Sequence, residues 1–401
     1  MPAVTPPSHY LLGTYILIGP VAWLLLGAGM VMGRRRMDRL YTSRSTLPPD
    51  PPPVTVLVPA KDEGERVRAC LDSILSQDYP NFTVLAVDDR STDDTGAMLD
   101  DAAATSGGRL RALHVKELPT GWLGKCHALH LGAAEAQGEW LLFVDSDVRL
   151  LRPDALSATL ALAIARKYEA LSLLTRLECG TFLERLVLPL AAGAWTIMNR
   201  VSMTNDDNHP TVAFANGQFL LVRRPAYDAV GGHAAVRDQI TEDVEFFRLL
   251  KSRNFRVRLL LGLTYASTRM HATLRQMLRG WGRIYSGTNR RSPWRIIAAL
   301  FFVALCGFSA YVALGWGIGR SLAGGADARR WLVASIAHLV VMTLALGGLY
   351  ADSGNPRRNA LLFPIGGSIL VALFVFALRW CATGKIEWRG TTFNQNKAPV
   401  S

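Results

Sequence analysis

Four runs of this chain hold no charged residue and are each long enough to cross a bilayer: Tyr10 to Gly33, Ile296 to Gly319, Trp331 to Ala351 and Asn359 to Leu378. A helical span needs about 20 predominantly apolar residues. These runs account for the low overall charge, with Asp, Glu, Lys and Arg making up 19% of the chain against about 25% in ordinary soluble domains. The formal net charge is nonetheless +12. Its arginines gather beside the apolar runs, as Arg34, Arg35, Arg36 and Arg39, and as Arg279, Arg283, Arg290, Arg291 and Arg295. Clusters of that kind attract anionic lipid headgroups. No nucleic-acid recognition motif accompanies them, so a membrane is expected and nucleic acid is not.

A signal peptide carries its basic residues ahead of the apolar run. Here they follow it, so the first run reads as an uncleaved anchor. Positive charge stays inside, which places the N-terminus outside and the chain after Arg34 in the cytoplasm. Four spans return the C-terminus to the outside. Arg320, Arg329 and Arg330 then lie outside against Arg357 and Arg358 inside, so the later loops support this orientation only weakly, and one segment being re-entrant is the alternative. In a bacterium this is an inner or plasma membrane protein. The cysteines, Cys70, Cys126, Cys179, Cys306 and Cys381, are widely spaced and odd in number. That spacing suits a reduced compartment and offers no zinc site.

The organisation that follows is an anchor with a basic flank at 1–44, a Pro-rich linker at 45–53, and a catalytic domain at 54–270. A basic and aromatic interfacial segment at 271–295, three spans at 296–379 and a tail at 380–401 complete it. Within 54–270, "VTVLVPA", "FTVLAVDD" and "EWLLFVDSDV" read as buried strands, and "RVRACLDSILSQ" has a helical period. Strands alternating with helices imply an α/β fold with a parallel sheet. The segment Thr181 to Arg200 is apolar with basic residues near its start and end. It reads equally as an interfacial helix and as a core helix of the domain.

The chemistry starts at "VDSDV". A period of two puts Asp145 and Asp147 on one face at the end of an apolar strand. Carboxylates that close need a cation between or beside them, and a divalent ion with oxygen ligands meets the need. The bland alternative is a solvated turn. It is weakened by "VPAKDE" and "VDDRSTDDT", which bring Lys61, Asp62, Glu63, Asp88 and Asp89 to the same carboxyl edge, where open α/β sheets bind ligands. In "GWLGKCHAL", Gly121 and Gly124 allow close backbone approach and Lys125 offers a charge to a phosphate. In "QITEDVEFF", Thr241 is placed to cap a helix. Glu242 and Asp243 then serve either as a favourable helix start or as a general base.

The ordered series "VPAKDE", "VDDRSTDDT", "GWLGK", "VDSDV", "FANGQFLLVRR", "GGH" and "TEDVEF" resembles family 2 glycosyltransferases of the GT-A fold, over roughly Val54 to Tyr285. With the flanking spans it is similar to the membrane-bound branch, which includes ceramide glucosyltransferase-like, hopanoid-associated and carotenoid glycosyltransferases and processive polysaccharide synthases. The resemblance implies a Rossmann-like, mostly parallel sheet flanked by transmembrane helices. It implies an inverting, metal-dependent transfer of a sugar from a nucleotide-sugar, with UDP-sugars favoured, to a membrane lipid acceptor. Pro59, Glu63 and Asp89 would contact the nucleoside, and Lys125 and Asp145 the rest of the donor. Asp147, with Asp145, would hold Mg2+ or Mn2+. Asp243 would be the catalytic base, with Asn216, Gly217 and Glu242 lining the donor and acceptor pocket. The branch carries a QxxRW motif. This chain has Gln276, Arg279, Gly280 and Trp281, so Arg279 and Trp281 are candidates with one residue inserted between them. The competing expectations are a processive polysaccharide synthase, which needs more spans for a channel, and a non-catalytic membrane scaffold, which would have lost Asp147 or Asp243. A nucleotidyltransferase would need a glycine-rich phosphate loop that is not seen.

Overall fold

The computed structural model describes residues 7–40, 45–271, 273–289, 292–383, 385–388 and 391–394. Arg290, Arg291 and the last seven residues of the tail lie outside these. The chain divides into two compact units. An α/β unit comprises Arg35–Glu178 and Arg200–Met270, and a helical unit comprises Met1–Arg34, Cys179–Asn199 and His271–Ser401.

The strands of the α/β unit are, in chain order, β1 (Val54–Ala60), β2 (Phe82–Asp88), β3 (Leu110–His114), β4 (Trp140–Phe143), β5 (Val148–Leu150), β6 (Ala170–Leu174), β7 (Arg176–Leu177), β8 (Leu220–Arg223), β9 (Val257–Leu261) and β10 (Ala266–Thr268). Seven form one sheet in the order β3-β2-β1-β4-β8-β6-β9, and β5, β10 and β7 form a small second sheet. The large sheet is parallel except at β8, which runs against both β4 and β6. The parallel, Rossmann-like half therefore carries the first four motifs, and "FANGQFLLVRR" runs into the antiparallel strand β8.

Every residue of β1 is buried. This is the uniform apolar reading of a central strand covered on both faces. Alternation still decides where each side chain goes. Val54, Val56, Val58 and Ala60 join one core with Leu71, Ile74, Leu156 and Leu160. Leu57 joins the opposite core with Leu141, Phe143, Phe246, Phe247 and Leu250. Helices supply both layers: Glu65–Leu75 and Ala155–Ala165 on the first face, Glu242–Ser252 on the second.

The pairing Ala60 with Asp88, and Leu57 with Phe143, brings the carboxyl ends of β1, β2 and β4 to one edge. The expected rim of acids follows from this register. One expectation changes. The strand before the acid pair ends at Phe143, and Asp145 and Asp147 lie in the turn that follows, where Val148 N–H bonds to Asp145 O at 3.1 Å. The strand pleat therefore does not set their relation. The turn does.

Among the described residues, four helices are long and apolar enough to cross a membrane: Tyr10–Arg36, Trp294–Leu322, Ala328–Asp352 and Arg357–Thr383. These match the four runs read from the sequence. The helix Phe182–Met198 belongs to the helical unit, with Leu186, Val187, Leu188 and Leu190 buried. Thr181 and Glu184 form its capping box, which satisfies two of its orphan N–H groups. Pro189 sits in its interior and cannot donate to the carbonyl four residues back. That carbonyl, Arg185 O, accepts from Asn359 Nδ2 at 3.3 Å instead. Tyr350 Oη donates to Leu186 O at 2.7 Å, and Tyr285 Oη to Ala191 O at 2.6 Å. Gly193 lies against Leu349, and Gly366 against Leu186 and Leu190, the close approach that small residues permit between apolar helices.

The helix Leu274–Asn289, from the expected interfacial segment, packs in the same unit and buries Met277, Trp281 and Tyr285. Gln276 and Thr273 exchange bonds of 3.1 and 3.3 Å as a second capping box. The tail carries an antiparallel hairpin, β11 (Lys385–Trp388) with β12 (Thr391–Asn394).

Candidate active site

The loops after β1 and β2 are tied to each other before they are available to any ligand. Asp62 and Arg90 both hold left-handed backbone, at φ 50° and 58°. Asp62 Oδ1 accepts from Thr92 N–H at 2.7 Å. Thr95 Oγ1 accepts from the N–H groups of Glu63 and Gly64 at 2.9 Å each. Asp88 accepts from Ser91 N–H at 3.1 Å and meets His114 Nδ1 at 3.3 Å. A hydrogen bond to Asp100, and then one to Asp88, hold the His114 imidazole above its ordinary pKa. Pro59 is buried within β1, in register with Val87. The loops therefore present Glu63 and Asp89 from a frame that is already hydrogen-bonded.

Asp89 is 4% exposed. Its Oδ1 is 2.7 Å from Arg90 Nη2. Its Oδ2 faces Gly124 so closely that a Cβ there would collide with it, and would also stand 3.0 Å from Arg90 Nη2. This is the close backbone approach that glycine alone permits. Gly124→Ala should therefore displace the Asp89 carboxylate. With Asp89 in the nucleoside role that the motif resemblance implies, nucleotide affinity should fall by about tenfold, the loss of roughly one hydrogen bond to a charged group. Nucleotide titration of the folded variant measures it.

The centre of the site is a lysine. Lys125 occupies the second position of the helix Gly124–Glu135. Its Nζ lies 2.7 Å from Asp145 Oδ1 and 2.7 Å from Glu242 Oε1. Burial works against its charge, but Asp145, Glu242 and Asp243 outweigh it and hold the ammonium well above its ordinary value. Asp147 experiences the reverse. Burial first, then Asp145 and Glu63, push its carboxyl up to about 7.

Asp243 follows Glu242 at the start of the helix Glu242–Ser252. Its Oδ2 accepts from Gly217 N–H at 2.7 Å and its Oδ1 from Val244 N–H at 2.8 Å. Burial and then Glu242 push its carboxyl up to about 7, against the pull of Lys125 and the two N–H groups. Thr241 was expected to cap this helix. Its side chain makes no capping bond, and the Asp243 carboxylate serves the first turn instead. A Cβ on Gly217 would stand 3.2 Å from both Asp243 Oδ2 and Lys125 Nζ.

Asn216 is held from all sides. Its N–H donates to Ser172 Oγ at 2.8 Å, and its Nδ2 reaches Leu173 O at 3.2 Å and Gln218 Oε1 at 3.0 Å. Its carboxamide shapes the turn that offers Gly217. His233 of "GGH" stacks on Phe246 at 5.3 Å and meets Tyr227 Oη at 3.0 Å. Burial pushes it down to about 3, so it stays neutral and packs.

Ten of the expected residues thus fall in the α/β unit: Pro59, Glu63, Asp89, Lys125, Asp145, Asp147, Asn216, Gly217, Glu242 and Asp243. Direct contacts join Lys125, Asp145, Glu242, Asp243 and Gly217 into one cluster. Arg279 and Trp281 fall in the helical unit. Arg279 is exposed there, and Trp281 is buried with its ring 6.1 Å from Tyr285. The pairing of Lys125 with Glu242 had no signal in the sequence, because only the fold brings "GWLGK" against "TEDVEF".

Residues 55–231 match the sequence family described as glycosyl transferase family 2. The 4,4'-diaponeurosporenoate glycosyltransferase of Staphylococcus aureus strain MRSA252 is 28% identical over 254 residues, covering 62% of this chain and 64% of that protein. Its counterpart in strain USA300 is 28% identical over 258 residues, covering 62% of this chain and 66% of that protein. The match thus spans slightly less than two thirds of either relative's length. Among solved structures, a mannosyltransferase of Pyrobaculum calidifontis in complex with GDP-Man and Mn2+ superposes with a TM-score of 0.51 at 19% identity, over 92% of this chain and 99% of that one. Sheet order and these likenesses agree: residues 55–231 match the family 2 glycosyltransferases, and the chain has the GT-A fold.

Proposed function

We propose that this protein moves a sugar from a nucleotide-sugar donor to a membrane lipid acceptor, with inversion, at the cytoplasmic face of a membrane. The observation that carries the reading is the Lys125 bridge. One ammonium joins Asp145 of the acid pair to Glu242 beside Asp243, so the groups suited to a donor diphosphate and to an acceptor hydroxyl form a single cluster. The names of the curated relatives support a carotenoid-class lipid acceptor, and the four apolar helices support a membrane setting.

In this reading the acceptor oxygen attacks the anomeric carbon, its proton passes to Asp243, and the bond to the diphosphate breaks. Asp243 is oriented for this by Gly217 and Val244. Glu63 and Asp89 hold the nucleoside and Asn216 shapes the sugar wall. Lys125 lends its charge to the leaving diphosphate. Arg279 and Trp281 stay with the reading on the spacing from Gln276 alone.

The residues at the turn after β4 fit a divalent ion, Mg2+ or Mn2+. Asp145 and Asp147 are oxygen donors, and Asp147, raised first by burial and then by Asp145 and Glu63, is a carboxyl whose charge a neighbouring cation would favour. Among the described residues no group of three or more His, Cys, Asp or Glu side chains is arranged to hold a metal by itself, so the diphosphate would complete the coordination. Such an ion would stabilise the charge that develops on the leaving group.

The test is transfer by the detergent-solubilised full chain, offered a panel of nucleotide-sugars with total membrane lipid, with and without chelator. We expect a product that partitions into organic solvent and is lost with chelator. A polymer would instead indicate a processive synthase. The absence of transfer from every donor would indicate a scaffold.

A further inference from the structure

Lys251 stands near the C-terminal end of the helix whose first turn carries Asp243. It is 4% exposed. Its Nζ donates to Thr204 O at 2.7 Å, Asp206 O at 2.9 Å and Val212 O at 2.8 Å. An ammonium has three donors and no acceptor, so three carbonyls saturate it, the condition under which a charge tolerates burial. Burial lowers its pKa, and Asp207 pulls it back.

Two further devices fix the same segment. Strand β9 is the end strand of the large sheet and would otherwise leave bonds open on that side. Asn205 fills those of Leu259, with Nδ2 donating to Leu259 O at 2.9 Å and Oδ1 accepting from Leu259 N–H at 2.8 Å, while Leu261 N–H donates to Asp38 O at 2.9 Å. Asp207 meets Arg258 as a two-pronged pair at 2.8 and 2.7 Å. Beyond Val212 the chain runs through buried Ala213 and Ala215 into Asn216 and Gly217. There Gly217 N–H bonds back to Asp243 on the same helix. One helix therefore grips this stretch at both ends, by Lys251 at 204–212 and by Asp243 at Gly217.

We infer that Lys251 is a positioning residue for sugar transfer: its ammonium fixes residues 204–212 so that the turn at Asn216–Gly217 holds the Asp243 carboxylate in its working orientation. The inference rests on the proposed role of Asp243. A neutral side chain at 251 frees three carbonyls at once, and the grip on Gly217 loosens. The nucleoside contacts expected at Glu63 and Asp89 lie on other loops. Turnover should therefore fall without a matching loss of donor affinity.

The experiment compares Lys251→Met and Lys251→Gln with the full-length wild type in detergent, reading kcat, donor Kd and amide exchange. We expect kcat to fall by about tenfold or more, as small misplacements of a reacting group do, with donor Kd within about twofold. Exchange at 213–217 should quicken while that of β1 does not change. Should the neutral variants fail to fold, Asp207→Asn opens the same segment from a side chain that is 64% exposed, and should lower kcat more mildly with donor Kd again unchanged. A folded Lys251→Met enzyme with kcat within about twofold of wild type overturns the inference. So does a parallel fall of kcat and donor affinity. If the wild type transfers no sugar the functional reading fails, while amide exchange still decides whether Lys251 holds the turn.

Discussion

Asp243→Asn lowers the transfer rate by about 10²–10⁴-fold, the contribution expected of a positioned general base, while the variant still binds its donor. The side chain keeps its shape, but one of its two terminal groups becomes N–H₂. In the wild type both oxygens accept backbone N–H groups, from Gly217 and Val244. Asparagine must set a donor against one of them. A stability loss of about 1–3 kcal/mol accompanies the change, visible as a lower unfolding midpoint, and donor binding by titration separates it from the catalytic effect. Normal transfer by the donor-bound variant would remove Asp243 from the mechanism.

The pH dependence of the wild type provides a second check on the same residue. Burial and then Glu242 push the Asp243 carboxyl up to about 7. A carboxyl with a raised folded pKa binds its proton more tightly in the folded state, so its contribution to stability is lost as pH rises from the ordinary carboxylate value through the raised one. A base must be unprotonated, so kcat should move the other way and climb across that interval before levelling off above it. Initial rates and unfolding midpoints measured between pH 5 and pH 9 should show these opposite trends.

Lys125→Met destabilises the α/β unit by about 3 kcal/mol, the lower end of what removing one partner of a buried ion pair costs. The side chains of Lys125, Asp145 and Glu242 are 21%, 27% and 7% exposed, so solvent screens the loss only in part. Asp145, Glu242 and Asp243 then face one another with no cation among them. At about 2–4 °C per kcal/mol for a unit of this size, the unfolding midpoint should fall by roughly 6–12 °C. The deficit should shrink as pH falls toward 5, because protonating one acid removes the repulsion. A deficit that is the same at pH 5 and pH 8 would mean that the ammonium is not what holds these carboxylates together. Lys125→Arg is not expected to restore the wild type, since a planar guanidinium is not the point charge that Nζ places 2.7 Å from both Asp145 and Glu242.

The sequence made the apolar runs, the first strands and the order of the motifs legible, because burial on both faces leaves uninterrupted runs such as "VTVLVPA" and because acids at strand ends are unusual. It was less informative where contacts decide. Strand β3 mixes buried and exposed residues in "LRALH", and on the page it does not stand out from a loop. Asp145 and Asp147 were placed by strand alternation, whereas a turn after Phe143 places them. Thr181 to Arg200 has the composition of an interfacial helix and of a core helix alike. The bonds that decide come from Tyr285, Tyr350 and Asn359, far along the chain. Lys125 read as a phosphate ligand, and no local pattern could report that Glu242 would share it.

The helix Phe182–Met198 interrupts the α/β unit between Glu178 and Arg200. Strands β8 and β9 follow that interruption, and β6, which precedes it, lies between them. During synthesis the sheet therefore cannot close until the chain has departed into the helical unit and come back. The bonds that hold the departing helix come from residues after 271, which emerge last. The α/β unit is compact in space but not separable by two cuts in the chain. A fragment that begins after the first span and stops at Met270 retains every strand of the large sheet, yet carries an apolar helix severed from the tyrosines and asparagine that hold it.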